Sequence, residues 1–183
     1  MKKVVFDLDD TLWRLNERAA SIAGIDSNLL NCFLVTENTL LTPDQKERVL
    51  KIYRSKSLWD NISYESGYER LKDLEQYDCK VYINSNCITK EVADYKRSFL
   101  SKDLGLPDEQ IVLNVEKSST EKEMLDNTYI FIDDSPFNIA KSNAKYTIIP
   151  NRLWNQNVKN DHTTLIRCNT LNEIIDTIIS LLK

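Results

Sequence analysis

The chain has 183 residues, with 24 basic and 28 acidic side chains and a formal net charge of -4; at this length about seven tenths of the unfolded surface can be buried, which predicts one α/β core with a modest insertion. There is no basic excess of the kind a nucleic-acid phosphate backbone demands, which argues against duplex nucleic acid as a partner. No apolar run approaches the ~18 residues of a membrane span, and Met1, Lys2 and Lys3 lead straight into strand-like sequence in place of a signal-peptide core, so a cytoplasmic protein with no membrane partner is expected.

In chain order, the first predicted element is the β-branched and aromatic run at residues 3–7, which ends abruptly in Asp7, Leu8, Asp9, Asp10 and Thr11. Side chains alternate along a strand, so Asp7 and Asp9 leave on one face a few ångströms apart, where their like charges invite a cation. Taken alone, the same residues also suit a plain acidic turn. More than 70 residues separate this run from the next, at 80–84; that is too many for a crossover and too patterned for a loop, and implies an inserted subdomain. Within the insertion, Thr42-Pro43-Asp44-Gln45 is the pattern of a capping box with Pro at the first helical position, opening a helix through Val49, Leu50, Ile52 and Tyr53. Residues 15–33 add one or two more helices.

Beyond 80–84, strand-like runs recur at 110–114, 128–132 and 145–149, with a weaker one near 164–167. Helical patterns lie between most of them, the alternation of a parallel, doubly wound sheet. Residues 89–104 place Val92, Phe99, Leu100 and Leu104 near one face before Gly105 and Pro107 stop the helix. At 171–182, Leu171, Ile174, Ile175, Ile178 and Leu181 recur at the spacing of a packing helix. Three glycines in all leave no Gly-rich phosphate loop. Four cysteines, Cys32, Cys79, Cys87 and Cys168, form no C-x-x-C pair and read as reduced, mostly buried thiols.

Chemistry gathers at the strand ends. Asp133 and Asp134 follow the apolar run Tyr129-Ile130-Phe131-Ile132, and an adjacent acidic pair there is costly unless a cation compensates it. Tyr82-Ile83-Asn84-Ser85-Asn86 offers a hydroxyl at the end of the second strand. The DxDxT pattern at Asp7, Asp9 and Thr11 resembles the first motif of the haloacid dehalogenase (HAD) superfamily of phosphohydrolases. Residues 82–86 resemble its second motif, and Asp133-Asp134 its fourth. The resemblance implies an α/β, HAD-like Rossmannoid core over 1–14 and 64–183, with a mostly parallel doubly wound sheet. A small helical cap over 15–63 would close on the site, and a helix at 66–77 would belong to the core. It further implies that Asp7 is a nucleophile and Asp9 a general acid/base. Mg2+ would be held by Asp7, the Asp9 main-chain carbonyl and Asp134, with Asp133 orienting the ligands, and Ser85 and Asn86 would grip phosphate.

A finer resemblance covers residues 95–105, Gln110-Ile111-Val112-Leu113 and Lys117, and extends weakly to Gly67 and 150–156. These stretches look like the corresponding ones of the 5'(3')-deoxyribonucleotidases, HAD enzymes that dephosphorylate nucleoside monophosphates. On that likeness Lys96 contacts phosphate and Lys117 lies near the site. The likeness barely reaches the cap, and it fails at Asp10-Thr11 and at Asn84-Ser85-Asn86, where those enzymes usually carry other residues; these departures bear on the substrate more than on the chemistry. Of the aromatic residues in and beside the cap, Phe33, Trp59 and Tyr64 are expected in the core, and Trp13 is placed near the site as a substrate contact. His162 sits in a polar loop and receives no role. The expected activity is magnesium-dependent phosphomonoester hydrolysis of a small molecule, a nucleotide first. The alternatives are a sugar phosphate or other small phosphoester, and a non-catalytic phosphate-binding module.

Overall fold

A computed structural model of the chain describes residues 1–60, 62–118 and 120–183. Among these residues, six strands form one sheet: β1 (Lys2–Phe6), β2 (Cys79–Cys87), β3 (Ile111–Val115), β4 (Thr128–Ile132), β5 (Tyr146–Pro150) and β6 (Thr164–Cys168). Their order is β3-β2-β1-β4-β5-β6, and every neighbouring pair is parallel. The strand order reverses between β1 and β4, which is where open α/β sheets leave a crevice at their carboxyl edge.

The continuous apolar runs follow from burial on both faces of the sheet. Val4 and Phe6 pack on one face with Ile83, Ile130, Ile132 and Ile148, while Val5 and Phe131 pack on the other with Ala144 and Tyr82. Helices α4 (Lys90–Phe99), α5 (Pro136–Lys141) and α6 (Leu171–Leu182) follow β2, β4 and β6, and each opens on a hydroxyl cap. Thr89, Ser135 and Thr170 accept from the backbone N–H of Val92, Asn138 and Glu173, satisfying donors that have no partner inside the helix. The apolar stripe of α6 is buried through Leu171, Ile174, Ile175 and Ile178.

Two helical expectations change in detail. The pattern at 89–104 is α-helical only to Phe99 and ends in a π-turn over Leu100–Leu104, before left-handed Gly105. The expected helix at 66–77 is a 3₁₀ helix, Tyr68–Gln76, in which Leu71 and Leu74 are the buried residues. An apolar spacing of three suits three residues per turn.

Between β1 and β2 the chain forms α1 (Leu15–Ala23), α2 (Pro43–Tyr53) and α3 (Lys56–Trp59), with 3₁₀ turns at Ser27–Leu29 and Val35–Glu37. The capping box at α2 is present: Gln45 N–H donates to Thr42 Oγ1 at 3.3 Å, and Thr42 N–H to Gln45 Oε1 at 2.9 Å. A short stem closes this insertion at its base. Arg14 N–H donates to the Ser63 carbonyl at 3.0 Å and Glu65 N–H to that of Leu12 at 2.7 Å, with Trp13 bridged to Tyr64. No described helix is long and apolar enough to cross a membrane.

Candidate active site

The register sets the site. Phe6 lies opposite Ile83 of β2 and Ile132 of β4, and Asp7 N–H donates to the Ile132 carbonyl at 2.8 Å. Asp7 and Asp133 therefore leave adjacent strand ends side by side at the crevice. The chain turns at once: Leu12 and Trp13 both donate to the Leu8 carbonyl at 2.9 Å, and Asp10 takes a left-handed backbone with φ 55°. Such a conformation is tolerated better by Asp than by most residues. It is held by Arg152, whose Nε and Nη2 donate to the Asp10 carbonyl at 2.9 and 2.6 Å, and by Asn16 N–H donating to Asp10 Oδ1 at 2.9 Å.

Asp7, Asp133 and Asp134 are all buried, and each offers one carboxylate oxygen within 4.8 Å of the others. A hard divalent cation takes oxygen ligands of this kind. The Lys122 ammonium, itself buried, donates to Asp7 Oδ1 and, at 2.7 Å, to Asp133 Oδ2. Burial opposes the Lys122 charge, but Asp133 and Asp7 outweigh it and hold its pKa above the ordinary lysine value. Asp133 also accepts from Ser135 N–H at 2.8 Å and from Asn138 Nδ2 at 3.1–3.2 Å. Protein donors thus engage both its oxygens, which leaves Asp7 and Asp134 the freer of the three to meet a cation.

A second buried ammonium, Lys96, donates to Asp9 Oδ2 at 2.6 Å, to Ser85 Oγ at 2.9 Å and to the Asn86 carbonyl at 2.9 Å. Its Nζ lies 5.4 Å from the ring centre of Trp59 on α3. Asp9 Oδ1 is buried and has no hydrogen-bond partner among the described residues. Burial, supported by the charge of Asp7 and opposed by Lys96, raises the Asp9 pKa. The same cause, desolvation, raises Asp10 to about 7 and Asp133 to about 6, and lifts Asp134 well above the usual carboxylate range. Five carboxylates (Asp7, Asp9, Asp10, Asp133, Asp134) thus share the floor of one cavity with two buried ammonium groups, and the imbalance favours a cation. The cavity encloses about 580 Å³. Much of the rest of its lining comes from the insertion, including Phe33, Leu34, Val35, Leu50 and Tyr53, and from Ile88 and Val92 beyond β2.

No protein-family model matches the chain, and no curated protein sequence does. Solved structures do. A hydrolase from Pseudomonas syringae superposes with a TM-score of 0.60 at 13% identity over 100% of both chains. A haloacid dehalogenase-like family hydrolase from Streptococcus pneumoniae gives 0.58 at 16% identity, covering 97% of this chain and 98% of its own. A HAD-hydrolase from Bacillus subtilis, solved bound to magnesium, gives 0.55 at 17% identity over 97% and 98%. The chain has the HAD-like fold. In this fold the insertion after β1 stands where a cap is expected, and the candidate residues can be placed one by one.

The HAD-like crevice brings together Asp7, Asp9, Lys96, Asp133 and Asp134, with Asn86 in the wall. Ser85 is fully buried and meets Lys96. The Asn86 amide is engaged by the Ser118 carbonyl at 2.6 Å and by Asn114 at 3.1 Å. Lys117 lines the cavity but stands apart from the acidic floor: it is 45% exposed and pairs with Glu123 at 3.6 Å. Lys122, not Lys117, lies between the acidic loops. Trp13 is not a cavity residue. It is fully buried against Trp59, Tyr64 and Phe99, with ring centres 5.9–6.2 Å apart, so the apolar core has claimed its ring.

Sequence reasoning missed Lys122, Asp10, Arg152 and Trp154. Lys122 sits in Glu121-Lys122-Glu123, which reads as solvated surface; its only local signal is its position just before the Met124-Leu125 pair that leads into β4. In the sequence Asp10 reads only as part of the acidic turn after the first strand and as a departure from the nucleotidase pattern.

Proposed function

We propose that the chain is a magnesium-dependent phosphomonoesterase working through an aspartyl-phosphate on Asp7, and that its substrates are nucleoside monophosphates, as in a 5'(3')-deoxyribonucleotidase. The carrying observation is the buried cluster of Asp7, Asp133 and Asp134 at the carboxyl edge of β1 and β4. The magnesium-bound Bacillus subtilis hydrolase of the same fold supports the choice of cation. Bound there, Mg2+ would screen the repulsion between an anionic nucleophile and an anionic ester.

The protein groups divide the remaining work. Asp7 attacks phosphorus in line and the ester oxygen leaves. Asp9 has a raised pKa and an unpartnered buried oxygen, so it is suited to carry the proton that the leaving alcoholate takes up. It then accepts a proton from the water that releases phosphate from Asp7. Lys122 holds the nucleophile between the two acidic loops, and Lys96 fixes the far oxygen of Asp9 beside Ser85. Both ammonium groups are preset donors near the charge that develops on the transferring oxygens.

The nucleotide reading draws on the cavity wall. Phe33, Tyr53 and Trp59, with Leu50, Ile88 and Val92, give the cavity an aromatic and aliphatic lining beside the acidic floor, and base stacking on such rings is worth roughly 1–3 kcal/mol. A sugar-phosphate reading draws on Asn16, Thr36 and Ser118 in the same wall, which suit hydroxyl groups. The test is phosphate release from a panel of 5'- and 3'-(deoxy)nucleoside monophosphates and sugar phosphates, with and without Mg2+, with Asp7→Asn as control. Magnesium-dependent turnover concentrated on nucleotides supports the full reading, and turnover on sugar phosphates keeps the chemistry and replaces the substrate. No turnover on any member overturns it in favour of a binding module, and full activity in Asp7→Asn overturns Asp7 as the nucleophile.

A further inference from the structure

The segment after β5 bonds to both acidic loops at once. Arg152 donates twice to the Asp10 carbonyl and pairs with Glu65 of the cap stem at 2.5 Å. Trp154 Nε1–H donates to Asp134 Oδ2 at 2.8 Å. Fully buried Asn155 donates to the main-chain carbonyls of Asp134 and Pro150 at 3.0 and 2.9 Å. It is itself held by Arg167 of β6, which donates to Asn155 Oδ1 at 2.7 Å and to its carbonyl at 2.9 Å. The strap is thus anchored at its base, and its indole N–H is delivered to one oxygen of one carboxylate.

That contact separates the two members of the acidic pair. Asp133 has protein donors on both oxygens. Asp134 takes one side-chain donor, on Oδ2, and among the described residues Oδ1 takes none. An indole carries a single N–H, no charge and no acceptor, so it fixes the rotation of the carboxylate without competing for a cation. We infer that Trp154 is the positioning residue for Asp134: by holding Oδ2 it turns Oδ1 toward a divalent cation shared with Asp7, and it reports whether that cation is present. This rests on the metal reading proposed above.

The chain carries three tryptophans, and among the described residues only the Trp154 indole N–H meets a carboxylate. In the 1H–15N spectrum of the full chain, Trp154→Phe identifies the Trp154 indole resonance by its loss. Titration with MgCl2 should move that resonance saturably. Calorimetry should show Mg2+ binding about tenfold weaker in Trp154→Phe, the usual effect of removing a donor that orients a metal ligand. Unchanged affinity in the variant, or a Trp154 resonance that stays still at saturation, overturns this proposal alone. A wild-type chain that binds no Mg2+ overturns the metal reading and this proposal with it. If the variant does not fold by circular dichroism, through-bond assignment of the wild-type spectrum identifies the Trp154 resonance, and its response to MgCl2 decides.

Discussion

Lys122 shows at the level of one residue how much the site depends on compensation. Its ammonium is buried between Asp7 and Asp133, and replacing it with Met would strand two carboxylates away from water. Breaking a buried pair in this way costs about 3–5 kcal/mol, so Lys122→Met should unfold at clearly lower denaturant concentration than wild type and regain part of the loss when Mg2+ is added. An unchanged midpoint would mean that the ammonium does not hold the cluster. Asp9 tests the proton. Asp9→Asn keeps the size of the side chain but has no carboxyl proton to give, so kcat should fall by about 10²–10⁴ with KM little changed; an unchanged kcat with a raised KM would remove Asp9 from the acid role. The two residues differ in legibility. Asp9 is readable from the DxDxT pattern, although it lies in the turn beyond β1 and not on the strand, whereas Lys122 reaches the site only through the path of a polar loop.

Among elements, the strands were the most legible, because burial on both faces turns each into an unbroken apolar run such as Val4-Val5-Phe6 or Ile130-Phe131-Ile132. The 3₁₀ helix was less so. Gly67 precedes it with φ 94°, and a Cβ there would come within 2.5 Å of the Asn172 side chain. Both the conformation and the contact penalise any other residue, so Gly67→Ala should lower stability by more than ~1 kcal/mol, measured as a shift in thermal midpoint; no shift would mean that the Asn172 amide moves aside freely. The α2 cap was legible because its chemistry is local. Thr42→Ala should cost about 1 kcal/mol and leave turnover unaffected, since Thr42 is not in the cavity wall.

At the scale of the whole molecule, alternating elements announced a parallel sheet, but the strand order comes from which faces pack, and no local pattern encodes it. The HAD resemblance supplied what alternation cannot, a site at the carboxyl edge of β1 and β4 with a helical insertion beside it. That edge should also govern stability against pH. Burial raises Asp10 from 3.8 to about 7 and Asp133 from 3.8 to about 6. Carboxyls with a higher pKa in the folded than in the unfolded chain bind more protons when folded, so stability is lost as pH rises through that range. Without Mg2+ the Tm should therefore fall between about pH 4 and pH 7, at about 2–4 °C per kcal/mol for a chain of this size. A cation that favours the ionised forms should remove most of that fall. A Tm indifferent to both pH and Mg2+ would contradict the description of the acidic floor.

The central claim is that Asp7 is the nucleophile. The most direct measurement is an acid quench of the Mg2+-loaded protein during turnover of the best panel substrate, followed by peptide mass spectrometry. A single phosphoryl group on the peptide carrying Asp7, lost in Asp7→Asn, is the predicted result. Turnover with no adduct on that peptide, or an adduct that persists in Asp7→Asn, would contradict it.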